Sequence, residues 1–146
     1  MPSYWSNNFT QICLGMRVGN VTEWLVINKQ ASSLHSLVAD NKYKPTSLGR
    51  DKWKSLIDES SLQLKCNKEG FNVKCPTVRD HSAFTRIGII SNNEEYCKSC
   101  DSRIGIGSGG TSGGMDGTNS CGNEAIAFKS DNGEKHIKAN CYILIK

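Results

Sequence analysis

Seven cysteines in 146 residues constrain this chain more than any other feature. They are Cys13, Cys66, Cys75, Cys97, Cys100, Cys121 and Cys141. Such density is unusual in a reducing cytosol and ordinary in a secreted chain. Apolar residues make up only 37%, so the core needs covalent support. Each native disulfide restricts the unfolded chain and contributes roughly 2–4 kcal/mol. The number is odd, so at most three bridges form within the chain. The seventh sulfur is left to bridge a second chain, which would make a homo-oligomer, or to sit as a buried thiol. Spacing leaves the connectivity open.

The other whole-chain features agree with that compartment. Asn8-Phe-Thr and Asn20-Val-Thr are N-glycosylation acceptors. No apolar run reaches the length of a membrane span. Met1-Pro-Ser-Tyr-Trp5 lacks the basic start and apolar stretch of a signal peptide, so the chain reads as a mature domain. The length suits one core, and we expect a single extracellular domain over 1–146, with 1–10 a flexible N-terminal segment. The net charge is +4, and the lysines are scattered. Lys42, Lys44, Arg50, Lys52 and Lys54 read as a solvated face, and no dense basic cluster with interleaved aromatics marks a nucleic-acid partner.

Periodicity predicts an α+β fold: a twisted, mostly antiparallel sheet with two short helices and a long glycine-rich loop. Residues 11–18 and 23–28 read as strands around a turn at Gly19-Asn20, and the continuous apolar run Trp24-Leu-Val-Ile27 suggests cover on both faces. Leu34, Leu37 and Val38 have helical spacing behind a Ser32 or Ser33 cap, and Trp53, Leu56 and Ile57 form the stripe of a second helix over 50–59. Strands are expected at 61–66 and 71–75, around a turn at Glu69-Gly70, and at 85–90. Asp131-Asn-Gly133 reads as a hairpin turn between strands 125–130 and 136–145. Ile137, Ala139, Cys141, Ile143 and Ile145 share one face, which predicts a central last strand. Trp5, Trp24 and Trp53 are expected to serve packing.

Several motifs invite chemistry and fail in context. Gly105-Ile-Gly-Ser-Gly-Gly110 matches a nucleotide-binding fingerprint, but a helix breaker follows where a helix must start. Gly110-Thr-Ser112-Gly-Gly114 resembles a serine-nucleophile turn, with His81 as the only tempting base, yet it too lacks the helix after it. Cys97-Lys-Ser-Cys100 lacks the helix start of a redox pair and the second ligand pair of a zinc site. No catalytic residue is assigned. The segment 105–117 holds few side chains, so it is either mobile or held against a ligand or another backbone. Arg103, Asp116, Asn119, Asn123 and Glu124 flank it with planar polar groups suited to a sugar. Asp101, Asp116 and Asn119 offer oxygen ligands suited to Ca2+.

The blocks Ile12-Cys-Leu-Gly-Met16, Thr46-Ser-Leu-Gly-Arg-Asp-Lys-Trp-Lys-Ser-Leu-Ile57, Cys97-Lys-Ser-Cys-Asp-Ser-Arg-Ile-Gly105 and Cys121-Gly-Asn-Glu-Ala125 carry a resemblance. From about residue 12 onward the chain resembles a domain of cnidarian secreted proteins, the fibrinogen-like C-terminal region of coral skeletal organic matrix proteins. The resemblance implies an extracellular matrix or recognition role and brings no catalytic residues. Cys75 and Cys141 depart from its pattern together, which implies that they pair. Cys97 with Cys121 and Cys13 with Cys66 are then expected, leaving Cys100 as the free thiol. The expected function is a non-enzymatic, lectin-like binding module for a glycan or extracellular-matrix ligand, with calcium as a candidate aid. The alternatives are a structural matrix component without a discrete site and a small secreted effector, either toxin or hydrolase.

Overall fold

The computed structural model describes Trp5 and residues 7–75 and 81–146. Its strands form two antiparallel sheets, accompanied among the described residues by two short α-helices, and of the three disulfides one, Cys121–Cys141, joins the sheets. The smaller sheet has the order β2-β1-β9, with β1 at Phe9–Val18, β2 at Val21–Ala31 and β9 at Asn140–Ile145. The larger runs β3 (Lys44–Pro45), β4 (Lys65–Lys74), β5 (Phe84–Asn92), β6 (Ser102–Ile106), β7 (Cys121–Ala125) and β8 (Lys135–Lys138). Helix α1 (Leu34–Val38) and helix α2 (Arg50–Lys54) lie between β2 and β4 in the chain.

Alternation in β1 sets the smaller sheet. Ile12, Leu14 and Met16 are buried, while Cys13, Gly15 and Arg17 take the other face. The two-residue turn pairs Val18 with Val21, and that register places Gly15 opposite Trp24. The apolar run of β2 is therefore covered on one face only. Leu25 and Ile27 are buried, whereas Trp24 and Val26 are exposed.

Ser33 caps α1 through a reciprocal pair of bonds with Ser36, as the serines before the helix suggested. Trp53, Leu56 and Ile57 are buried as expected, but α2 ends at Lys54 and the chain continues in turns. The strands expected on either side of Glu69-Gly70 are one strand, β4. It bends through positive φ at Cys66, Asn67, Gly70 and Asn72. The hairpin at Asn132-Gly133 carries a longer loop than expected, because β7 ends at Ala125. The expected last strand breaks at Ala139 into β8 and β9, which are edge strands of different sheets, so neither is central. At the N-terminus, Phe9 is buried and Phe9 and Thr10 belong to β1, which shortens the expected flexible segment; 1–4 and 6 lie outside the described residues.

The main core fills the space between the sheets and beneath the helices, with Ile12, Leu14, Leu25, Trp53, Phe71, Ile87, Ile89 and Ile104 among its members. A second cluster, including Val73, Ile90, Cys100 and Met115, contains Ile90, next in sequence to Ile89 of the main core. Adjacent residues of a strand point to opposite faces, so this cluster covers the far face of the larger sheet.

The disulfides correct every expected pairing. Cys66 joins Cys97, Cys75 joins Cys100, and Cys121 joins Cys141, with Cα separations of 5.3, 5.9 and 6.1 Å. Cys13 is the free thiol, not Cys100. The reason is the face each residue takes. Cys13 points away from the core on β1, out of reach of Cys66, which lies in the other sheet. Cys141 packs against the main core and meets Cys121 where the chain crosses between sheets.

Candidate ligand-binding face

The residues selected around the glycine-rich loop do come together, but they serve the protein itself. Cross-strand register aligns Ile90, Arg103, Glu124 and His136 in one row across β5, β6, β7 and β8. Arg103 is 1% exposed and donates to three loop carbonyls: Gly110 at 2.8 Å, Asp116 at 2.7 Å and Asn119 at 3.0 Å. Burial pulls its guanidinium below the usual range, against the opposing pull of Glu124 and Asp116. Glu124, also buried, accepts from Asp116 N at 2.6 Å and Asn119 Nδ2 at 2.8 Å and lies 2.6 Å from His136 Nδ1. Its hydrogen bond raises the pKa of His136, against the effect of burial.

Asn123 is fully buried and clamps Ser61 through both N–H and C=O at 2.9 Å. Thus four of the five expected sugar-binding residues are inaccessible. Asp116 is the partly exposed one, and its carboxylate accepts from Thr118 N and Oγ1. Of the expected calcium ligands, Asp101 accepts from Ser112 Oγ and Asn119 directs its amide N–H groups to Asn123 O, Glu124 and Ile137 O. Among the described residues, the one grouping of three or more His, Cys, Asp or Glu ligand atoms is Cys66, Cys97 and Cys100.

The glycine-rich segment is the lid of the second core. Gly110 has φ +112°, and a Cβ there would meet Ser82 O at 2.5 Å, so only glycine lets the loop pass this close. Ser112 lies partly buried with its hydroxyl on Asp101, and its bond to His81 runs from its own backbone N–H to the backbone carbonyl of His81. That arrangement offers no imidazole to the hydroxyl.

A different surface carries the accessible chemistry. On the outer face of the β2-β1-β9 sheet, Gly15 lies between Trp24 and Tyr142. A Cβ on Gly15 would stand 2.6 Å from the Trp24 ring, so the indole rests flat over the glycine. The Trp24 and Tyr142 rings are 6.0 Å apart at their centroids and inclined by 36°. They are 47% and 39% exposed. The next row is Val26, Cys13 and Leu144, with Val26 and Leu144 also exposed.

Polar groups border this apolar field at both ends. Gln11 Nε2 donates to Asn28 Oδ1 at 3.0 Å on one side. On the other, Arg17 pairs in register with Thr22 and Asn140, and its Nε donates to Gly19 O. Trp24 was expected to pack inside; its exposure was readable from the register that the two-residue turn imposes. The acceptors Asn8 and Asn20 are both exposed, just before β1 and in the β1–β2 turn. No described helix is long and apolar enough to cross a membrane.

Fold and face together define a disulfide-tied, two-sheet antiparallel domain with an open aromatic sheet face. No protein-family model, curated protein or solved structure matches the chain.

Proposed function

We propose that this chain is an extracellular, non-enzymatic binding module that recognises a glycan through the outer face of the β2-β1-β9 sheet. The observation that carries the reading is the open Trp24–Tyr142 pair laid over Gly15. Sugar rings present flat C–H faces ringed by hydroxyls, and they are matched by aromatic faces bordered with amide and guanidinium groups. Gln11, Asn28, Asn140 and Arg17 provide that border. Three disulfides and two exposed sequons suit an extracellular site of action, and the resemblance to matrix-associated domains points the same way. The buried network around Arg103 and Glu124 is left out of the ligand site on this reading, and calcium has no part in it.

The test is a glycan array followed by titration of the best ligand against Trp24→Ala and Tyr142→Ala. Each truncation removes apolar contact area and is expected to weaken binding about 5- to 30-fold, or about 1–2 kcal/mol. Melting temperatures should stay close to the parent, because both rings are open to solvent. An array with no saturable binder, or binding unmoved by either substitution, overturns the reading.

A second reading, a structural matrix component, draws on Cys13. This thiol is unpaired and partly exposed between Val26 and Leu144 on the same face. That reading expects a disulfide-linked dimer on a non-reducing gel and no saturable glycan binding.

A further inference from the structure

The four cysteines around the second core form one connected sulfur cluster. The Cys66, Cys97 and Cys100 Sγ atoms all lie within 4.8 Å of one another, although they belong to two different disulfides. The two bridges differ in access. Cys66 and Cys97 are partly exposed, while Cys75 and Cys100 are buried. The accessible bridge is joined to the buried one through Cys97-Lys-Ser-Cys100. Both ends of β4 depend on this segment, since Cys66 lies at the start of the strand and Cys75 directly after its end.

We propose that this cluster is a thiol–disulfide exchange site, in which a small thiol entering at Cys66 is relayed to the buried bridge. The thiolate attacks Cys66 Sγ, forms a mixed disulfide there and expels Cys97 as a thiolate. Cys97 Sγ then attacks Cys100 Sγ, forms the Cys97–Cys100 bond and expels Cys75 as a thiolate. One disulfide is exchanged at each step, so no net oxidation has occurred. A second small thiol resolves the mixed disulfide, leaving Cys66 reduced and the small thiol oxidised to its disulfide. The sum is a two-electron reduction of the chain, with the electrons supplied by two small thiols and the protons returned to Cys66 and Cys75.

Two features favour the relay. The nucleophile and its target are already neighbours, which removes most of the cost of bringing them together. The leaving sulfur is held: Cys100 N donates to Cys75 Sγ at 3.2 Å, a bond that strengthens as thiolate charge develops. The consequence is structural. A single two-electron event unties both ends of β4, where independent reduction of the outer bridge would untie one.

The experiment uses the intact wild-type protein. It is treated with limiting glutathione, quenched in acid, alkylated and digested with trypsin. Cleavage after Lys65, Lys68, Lys74 and Lys98 separates all four cysteines onto different peptides. Beside the label on the free Cys13, the singly reduced species is expected to carry alkyl groups on Cys66 and Cys75, with the Cys97 and Cys100 peptides disulfide-linked. Alkylation at Cys66 and Cys97 with Cys75–Cys100 intact overturns the proposal. Cys66→Ser gives the same decision without reductant. The relay expects a Cys97–Cys100 bridge and a free Cys75, and a surviving Cys75–Cys100 bridge beside a free Cys97 refutes it.

Discussion

At Gly15 a missing side chain decides where an aromatic ring can lie. The Trp24 indole occupies the space a Cβ would fill, at 2.6 Å. Real Cβ atoms do not approach that closely, so Gly15→Ala must lift the ring off the sheet. Because Trp24 is half exposed, the ring has solvent to move into, and the fold is expected to lose little. The pair with Tyr142, however, loses its common plane of approach. Glycan affinity is expected to fall about tenfold or more, equivalent to about 1.4 kcal/mol, with the melting temperature nearly unmoved. Calorimetric titration and a thermal melt on the same sample check both halves. This residue-level arrangement was largely legible in the sequence. A two-residue turn fixes the register, and strand parity then puts Trp24 on the face of Gly15 and not of Leu14. The continuous apolar run hid it, since Trp24-Leu-Val-Ile27 reads equally well as a strand covered on both sides. The polar residues near the glycine-rich loop failed differently. Arg103 and Glu124 have the same composition whether they hold a sugar or the loop's own carbonyls, and only their burial separates the two.

Between elements, polar anchors do work that the short helices cannot do alone. Helix α2 has five residues, far below the length at which a helix is stable by itself. It is tied to the loop between β7 and β8 by Asp131, whose Oδ2 lies 2.5 Å from Arg50 Nη2 and 2.6 Å from Lys54 Nζ. Its other oxygen accepts from Leu62 N at 3.1 Å. Burial alone would raise the Asp131 carboxyl, but the bonds from Lys54, Arg50 and Leu62 hold it below its ordinary value. A carboxyl lowered by folding stabilises the fold above its unfolded pKa, and that contribution is lost as the pH falls through the folded value. Asp131→Asn keeps an acceptor for Leu62 N and loses the charge. It is expected to cost about 1–3 kcal/mol at neutral pH, and the gap from wild type should shrink in acid. Denaturant melts of both proteins across the acid range check the cost and its sign. The Asp-Asn-Gly turn was visible in the sequence; its anchoring to α2 was not, because the partners are distant in the chain. The same limit hid the break at Ala139. Side chains alternate without interruption from Ile137 to Ile145, and alternation cannot distinguish one strand from two that change sheets.

Across the whole molecule, the sheets share a core and are also joined covalently. Cys121 belongs to β7 of the larger sheet and Cys141 to β9 of the smaller, so their disulfide is the bridge that spans the two. The other two disulfides both lie on the Cys97–Cys100 segment and secure the far face of the larger sheet. Removing the inter-sheet bridge therefore tests whether the binding face is coupled to the rest of the fold. The bridge closes a loop with a sequence separation of 20, for which chain entropy gives about 3 kcal/mol. For a chain of this length that corresponds to a fall of roughly 10 °C in melting temperature. Yet Tyr142 is placed by pairing of β9 with β1, opposite Gly15, and not by the sulfur next to it. The double variant Cys121→Ala/Cys141→Ala is thus expected to melt earlier while binding glycan at 25 °C with the parent's affinity. Loss of binding well below the melt would mean that the bridge, not the β1–β9 ladder, holds the aromatic pair in place. An unmoved melting temperature would mean that the shared core alone keeps the two sheets together.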